Sequence, residues 1–260
     1  MRAAGLRAGA AEPFAAEGLH ADDRADLVAV DVDVADAALR GKLFTCEFFQ
    51  LAVFNNRDPA FLAGPGTLSY VTRIDPGESV LTIHFRPGGA LPFLGIPLAD
   101  VENACVNLTD LWGHDAAVLR EQLVGTPTWP QRIAIVEDFL LARLRPISHI
   151  LMPVLSAAER QPSLRVSEAA ELTGFSPKRL IATFRNEIGL APKAYLRVRR
   201  LQAALRLLDA GSGDGADVAA TLGYFDQPHF VREFRGFTSI TPTQYAQRRS
   251  VLPSHVGLAG

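Results

Sequence analysis

The chain has 260 residues, 48% hydrophobic and 21% charged, with a formal net charge of −2. That length holds two modest domains or one large one, and the composition is that of a globular protein. No apolar run reaches the ~18 residues that span a bilayer, which argues against a helical membrane protein. The two cysteines, Cys46 and Cys105, suit a reducing cytosol and lack metal-ligand spacing.

In chain order, Met1 to Leu19 is rich in alanine and glycine and has no compact apolar core after its arginines. Residues 1–19 are therefore expected to be a flexible tail rather than a secretion signal. Val28, Val30, Val32 and Val34 recur at period two with Asp31 and Asp33 between them, the alternation of a strand. Leu43 to Phe54 is an aromatic-rich run suited to a pair of strands, followed by the turn signal Asn55 to Pro59. Tyr70 to Ile74 and Ser79 to Phe85 read as strands around the turn Asp75-Pro76-Gly77-Glu78. Arg86-Pro87-Gly88-Gly89 is another turn, and Phe93 to Asn103 reads as a loop and a short helix. From Thr109 to Leu144 the apolar spacing becomes helical, through Leu111, Val118, Leu119, Leu123, Ile133, Val136, Phe139, Leu140 and Leu144.

Pro146 ends that run, and Ile147 to Glu159 reads as a helix striped by Ile147, Ile150, Leu151, Val154 and Leu155. The fold class expected is an α+β N-terminal domain (20–145) followed by an all-α domain with two helix-turn-helix motifs (146–250) and a C-terminal tail (251–260). Charge follows the same division. Residues 1–145 carry 12 Lys+Arg against 19 Asp+Glu, a balance of −7, and residues 146–250 carry 14 against 9, a balance of +5. An acidic module joined to a basic one is what a regulated nucleic-acid reader would show.

The basic segment contains one pattern twice. Val166 to Thr173 and Gly215 to Leu222 are short helices with paired small residues, Ala169-Ala170 and Ala219-Ala220, where a steeply crossing helix could approach. Gly174 and Gly223 follow, at turns that need φ > 0. Ser176 and Asp226 are good N-caps, and Pro177 and Pro228 fall in the first helical turn, where a missing N–H costs little. Leu180/Phe184 and Phe230/Phe234 are i, i+4 anchors. Leu172, Leu222 and Phe237 are also expected in the core. Each copy reads as a helix-turn-helix, with 177–187 and about 227–236 as recognition helices. Pro192 to Leu208 is the connecting helix. Its Arg197, Arg199 and Arg200 form the densest basic cluster, with a solvated face and a phosphate-binding face as competing readings.

From Val166 to Arg249 the sequence resembles the DNA-binding domain of the AraC/XylS transcriptional regulators. The resemblance rests on Gly174-Phe175-Ser176-Pro177, Phe184-Arg185, Gly189-Leu190-Ala191-Pro192, Gly223-Tyr224-Phe225-Asp226-Gln227-Pro228-His229-Phe230, Phe234-Arg235 and Ile240-Thr241-Pro242-Thr243-Gln244-Tyr245. It implies one monomer placing two recognition helices in successive major grooves of double-stranded DNA. The stretch from Gly64 to Leu144 resembles an N-terminal domain found ahead of such helices in bacterial regulators of unassigned ligand. Its matching pieces are Gly64-Pro65, Phe85-Arg86-Pro87-Gly88-Gly89 and the run to Leu111-Trp112-Gly113. A sensory or dimerisation role, a small-molecule effector, RNA polymerase as partner, a homodimer and a cytoplasmic location are what the two resemblances imply.

The expected DNA-facing residues are Lys178, Arg179, Ile181, Ala182 and Arg185 in the first copy. In the second they are Gln227, His229, Val231, Arg232 and Arg235. Gln pairs with adenine and Arg with guanine, so Gln227 and Arg232 are candidates for base reading. Val231 could meet a thymine methyl, whereas His229 and Arg235 sit further round, toward phosphate. Ile181 and Ala182 offer only apolar contact, which predicts half-sites of unequal weight. The alternative reading, an enzyme or DNA-repair protein carrying a helix-turn-helix pair, needs a catalytic constellation. His20, His84, His114 and His149 are scattered, and no nucleophile elbow, Walker loop or dinucleotide fingerprint occurs. The chain is therefore expected to be no enzyme and to need no metal or cofactor.

Overall fold

The computed structural model describes residues 28–34, 39–43, 49–54, 60–67, 70–74, 79–211, 215–248 and 255–257. The expected tail at 1–19, the turns at 55–59 and 75–78, and most of the loop Gly211 to Gly215 lie outside the described residues, as does Arg249. The chain forms two compact units. One comprises residues 1–38, 48–65 and 74–148, the other residues 39–47, 66–73 and 149–260.

The first unit is built on a five-stranded antiparallel sheet. Its strands are β1 (Val28–Val34), β3 (Phe49–Phe54), β4 (Phe61–Ala63), β6 (Ser79–Phe85) and β7 (Cys105–Asn107), in the order β1-β6-β3-β4-β7. The valine alternation does form a strand, pairing Val30 with Ile83 and Val32 with Leu81. Leu81, Ile83 and Phe85 are fully buried with half-buried His84 between, so one face of β6 lies on the core. Strands β4 and β7 span three residues each, too short for alternation to be visible in sequence.

Helices α1 (Leu91–Leu94), α2 (Leu108–Trp112), α3 (His114–Gly125) and α4 (Trp129–Leu141) complete this unit, with a 3-10 turn at Leu98–Val101. Pro127 falls in the break between α3 and α4, where the expected helical run divides. The buried stripe of α3 is Ala116, Leu119 and Leu123, leaving Val118 exposed. Trp112 meets Phe139 edge-on at 5.1 Å, and the Arg143 guanidinium lies 3.6 Å over the Phe139 ring while pairing with Asp115. The Gly64-Pro65 pair has a packing reason. Gly64 donates its N–H to Ala104 at 2.9 Å, and a Cβ there would stand 1.7 Å from the Val101 carbonyl oxygen.

The second unit holds seven helices among its described residues: α5 (Met152–Arg160), α6 (Val166–Thr173), α7 (Pro177–Glu187), α8 (Pro192–Asp209), α9 (Gly215–Thr221), α10 (Gln227–Thr238) and α11 (Pro242–Arg248). It also takes in a three-stranded sheet, β5-β2-β8, from β2 (Leu39–Leu43), β5 (Tyr70–Ile74) and β8 (His255–Gly257). The all-α expectation therefore holds for Met152–Arg248 and not for the unit as a whole. Within the segment read as a C-terminal tail, β8 pairs antiparallel with β2.

Helix α5 starts at Met152 rather than Ile147. Pro153 explains the delay, since it sits in the first turn of α5 and would break a helix begun five residues earlier. The core of this unit gathers Leu151, Val154, Leu164, Ala169, Leu180, Phe184, Tyr195, Leu201, Leu205, Val218, Leu222, Phe230, Phe234 and Tyr245. Helix α8 runs through it and packs against α6, α7, α9 and α11. Leu172 is a correction: it is 47% exposed, because the turn of α6 that faces the core carries Ala169.

Candidate nucleic-acid interface

In the first copy, α6 opens with the Glu168 carboxylate accepting the Arg165 backbone N–H at 2.6 Å. It ends at Gly174, φ +65°, and the Phe175 N–H reaches back to the Ala170 carbonyl at 3.2 Å. Ser176 caps α7 by accepting the Arg179 N–H at 3.4 Å, with Pro177 at the first helical position. Leu180 and Phe184 are completely buried, and the Phe184 ring stands 5.6 Å from Tyr195. The opposite face leaves Lys178, Arg179, Ile181, Ala182 and Arg185 exposed. Arg179 lies 4.0 Å over the Phe175 ring, so its guanidinium leans back toward the turn.

The second copy repeats this with firmer chemistry. Gly223 sits at φ +69°, and a Cβ there would stand 2.8 Å from the Ser163 Cβ, so the turn is packed as well as left-handed. Asp226 accepts the His229 N–H at 2.6 Å, placing a carboxylate at the positive end of α10. Phe230 and Phe234 are fully buried, and Phe230 takes part in ring contacts with Tyr224 at 5.1 Å and Phe234 at 5.7 Å. Gln227, Arg232 and Arg235 are exposed, whereas His229 and Val231 are half-buried. His229 stands edge-on to Tyr224 at 5.4 Å, and Val231 packs against the core, so both are turned further inward than their spacing suggested. The Gln227 amide lies across the start of α9, close enough that a Cβ on Gly215 would come within 3.0 Å of its Nε2. Of the paired small residues, only the first of each pair is buried: Ala169 and Ala219, not Ala170 or Ala220.

The arginine cluster on α8 is not one solvated face. Arg199 is only 7% exposed. Arg200 donates to the Pro162 carbonyl at 3.2 Å and lies 5.2 Å over the Tyr224 ring. Arg197 pairs with Glu233 at 2.9 Å and lies 4.8 Å over Phe237. Glu233 also accepts the Tyr224 hydroxyl at 3.2 Å. Burial, and next the Glu233 charge, push the Tyr224 phenol well above its usual range, so it stays protonated and donating. These contacts clamp α10 to α8 and hold the helix bearing Gln227 and Arg232. Spacing alone could have revealed Glu233. It falls inside the stripe 230, 233, 234, 237, where a carboxylate demands a cation.

The closing helix has its own device. Thr241 and Gln244 exchange bonds, Thr241 N–H to the Gln244 Oε1 at 2.9 Å and Gln244 N–H to the Thr241 hydroxyl at 3.2 Å. Tyr245 is buried and donates its hydroxyl to Asp209 at 2.6 Å, tying α11 to the end of α8. The Thr-Pro-x-x-Tyr sequence is thus a capping box followed by an anchor. Among the described residues no group of three or more His, Cys, Asp or Glu is placed to hold a metal ion, and no helix is long and apolar enough to cross a membrane.

Comparison with known proteins bears on this unit. Residues 169–248 match the family model described as a helix-turn-helix domain. An uncharacterized HTH-type transcriptional regulator of Haemophilus influenzae is 32% identical over 103 residues, covering 39% of this chain and 34% of that protein. The arabinose operon regulatory protein of Escherichia coli is 26% identical over 124 residues, covering 44% of this chain and 42% of that protein. A crystal structure of a transcriptional regulator with an AraC-type DNA-binding domain, from Chromobacterium violaceum, aligns with a TM-score of 0.37 and 26% identity. That alignment covers 39% of this chain and 93% of the solved one. The chain spans between a third and a half of the length of the two curated relatives. The first is named as a transcriptional regulator and the second as an operon regulatory protein.

Proposed function

We propose that this chain, whose C-terminal segment is an AraC-type helix-turn-helix domain, is a sequence-specific DNA-binding regulator of transcription in the cytoplasm. One monomer lays 177–187 and 227–236 into successive major grooves of double-stranded DNA. The observation that carries this is the pairing of two capped, aromatic-anchored helices within one compact unit, with Lys178, Arg179 and Arg185 exposed on one and Gln227, Arg232 and Arg235 on the other. Lys178 and Arg179 lie in the first turn of α7, where a recognition helix approaches bases. Ile181 and Ala182 beside them read only methyl groups, so the second copy supplies most of the base discrimination. His229 and Val231 contribute contacts at its margin.

The acidic segment 20–145, with its boundary near 146, serves as the sensory or dimerisation module. A small-molecule effector, RNA polymerase and a second copy of the chain are its partners. Binding of the full chain to randomised duplex DNA, followed by sequencing of the retained duplexes, tests the central claim. Two enriched half-sites one helical turn apart, about 10 bp, are expected. Retention without sequence enrichment refutes it.

A further inference from the structure

The two copies differ by one residue in their turns, and that residue is Phe225. From glycine to cap the first copy reads Gly174, Phe175, Ser176; the second reads Gly223, Tyr224, Phe225, Asp226. The residue before an N-cap usually packs on the fourth residue of its helix. Phe175 follows the rule in part, packing against the core with Arg179 over its ring. Phe225 does not. Its expected partner, Phe230, is covered by Tyr224 instead, and Phe225 is left 91% exposed. It is the most exposed large apolar side chain among the described residues. A phenyl ring left in water forgoes one of the larger burial gains open to any side chain, and nothing in the fold uses it.

Its position supplies a use. Phe225 directly precedes the Asp226 cap and stands two residues from Gln227, at the end of α10 that enters the groove on the reading above. The major groove presents one apolar group, the thymine 5-methyl, and phenylalanine is among the side chains that read it. The geometry points to Phe225 as a specificity-determining residue that closes over a pyrimidine 5-methyl at the edge of the half-site read by the second copy. This rests on the DNA-binding reading and adds a contact that none of the polar residues of α10 can make.

The test uses the full chain and a duplex that the wild type selects from a randomised library. Each thymine of the second half-site is replaced in turn by deoxyuridine, which lacks the methyl. At one position the wild type should lose about fourfold in affinity, the worth of one buried methyl-sized group. Phe225→Ala should lose nothing further there, while every other thymine affects both proteins alike. Phe225→Leu should keep part of the discrimination. Melting temperature should not change, because the ring buries nothing. If the wild type selects no duplex, the regulator reading and this inference fall together. If it selects one but no thymine methyl distinguishes it from Phe225→Ala, only the inference falls. Unchanged DNA binding with lost transcription in vitro overturns it in favour of a protein partner.

Discussion

The clamp between α8 and α10 makes an asymmetric prediction. The Glu233 side chain is 10% exposed and the Arg197 side chain 43% exposed, so the two partners respond differently to losing each other. Glu233→Gln keeps an acceptor for the Tyr224 hydroxyl and leaves Arg197 able to rehydrate. The loss is close to one charge-assisted hydrogen bond, about 1.5–2 kcal/mol. Arg197→Ala instead strands a nearly buried carboxylate with one hydroxyl donor and removes the guanidinium from Phe237. That cost approaches the range for orphaning a buried charge, about 3–4 kcal/mol. Replacing both residues with leucine removes the charge altogether and should come within about 1 kcal/mol of wild type.

Thermal melts of the full chain measure these losses, at about 4 °C for each kcal/mol. Equal losses for the two single variants, or a double-leucine variant as unstable as Arg197→Ala, would refute the assignment of Glu233 as the buried partner.

Three further outcomes are expected. Gly64→Ala should destabilise the first unit by about 3 kcal/mol or more, the upper end of overpacking, because its Cβ meets the Val101 carbonyl; chemical denaturation reads this. Asp226→Ala should cost about 1–2 kcal/mol and Ser176→Ala about 0.5, since the first cap is at 2.6 Å and charged while the second is at 3.4 Å and neutral. In titrations on a selected duplex, Arg232→Ala should relax the preference for that sequence by about 10- to 100-fold. Arg185→Ala should weaken all duplexes alike and lower the slope of log affinity against log salt by about 1.

Much of the second unit was legible because its pattern is local. Caps, glycine turns and i, i+4 anchors are fixed within a dozen residues, and Gly174, Ser176, Gly223 and Asp226 all occupy the conformations their types dictate. The strands of the first unit were legible only where they were long. The period-two runs of β1 and β6 showed themselves, whereas β4 and β7 owe their existence to pairing with distant neighbours. Helix boundaries failed where a proline was given too little weight, as at Pro153.

The surface was harder to read than the core, and for one reason. Spacing along a helix says which residues share a side, but not what the facing element brings. Arg197, Arg199 and Arg200 looked like one basic face, yet α8 crosses the middle of its unit and meets a neighbour on nearly every side. Arg197 therefore pairs with Glu233, Arg200 meets Tyr224 and the Pro162 carbonyl, and Arg199 is buried. Phe225 is the reverse case. An aromatic beside a cap invites a core assignment, but the longer turn of the second copy gives that place to Tyr224. The same one-residue difference that frees Phe225 draws Tyr224 inward, where it can bond Glu233 and stabilise the clamp on α10. The first copy, whose shorter turn ends in Phe175, has no hydroxyl to offer at that point. Unequal turns thus account at once for the firmer seat of the second recognition helix and for the aromatic left at its tip.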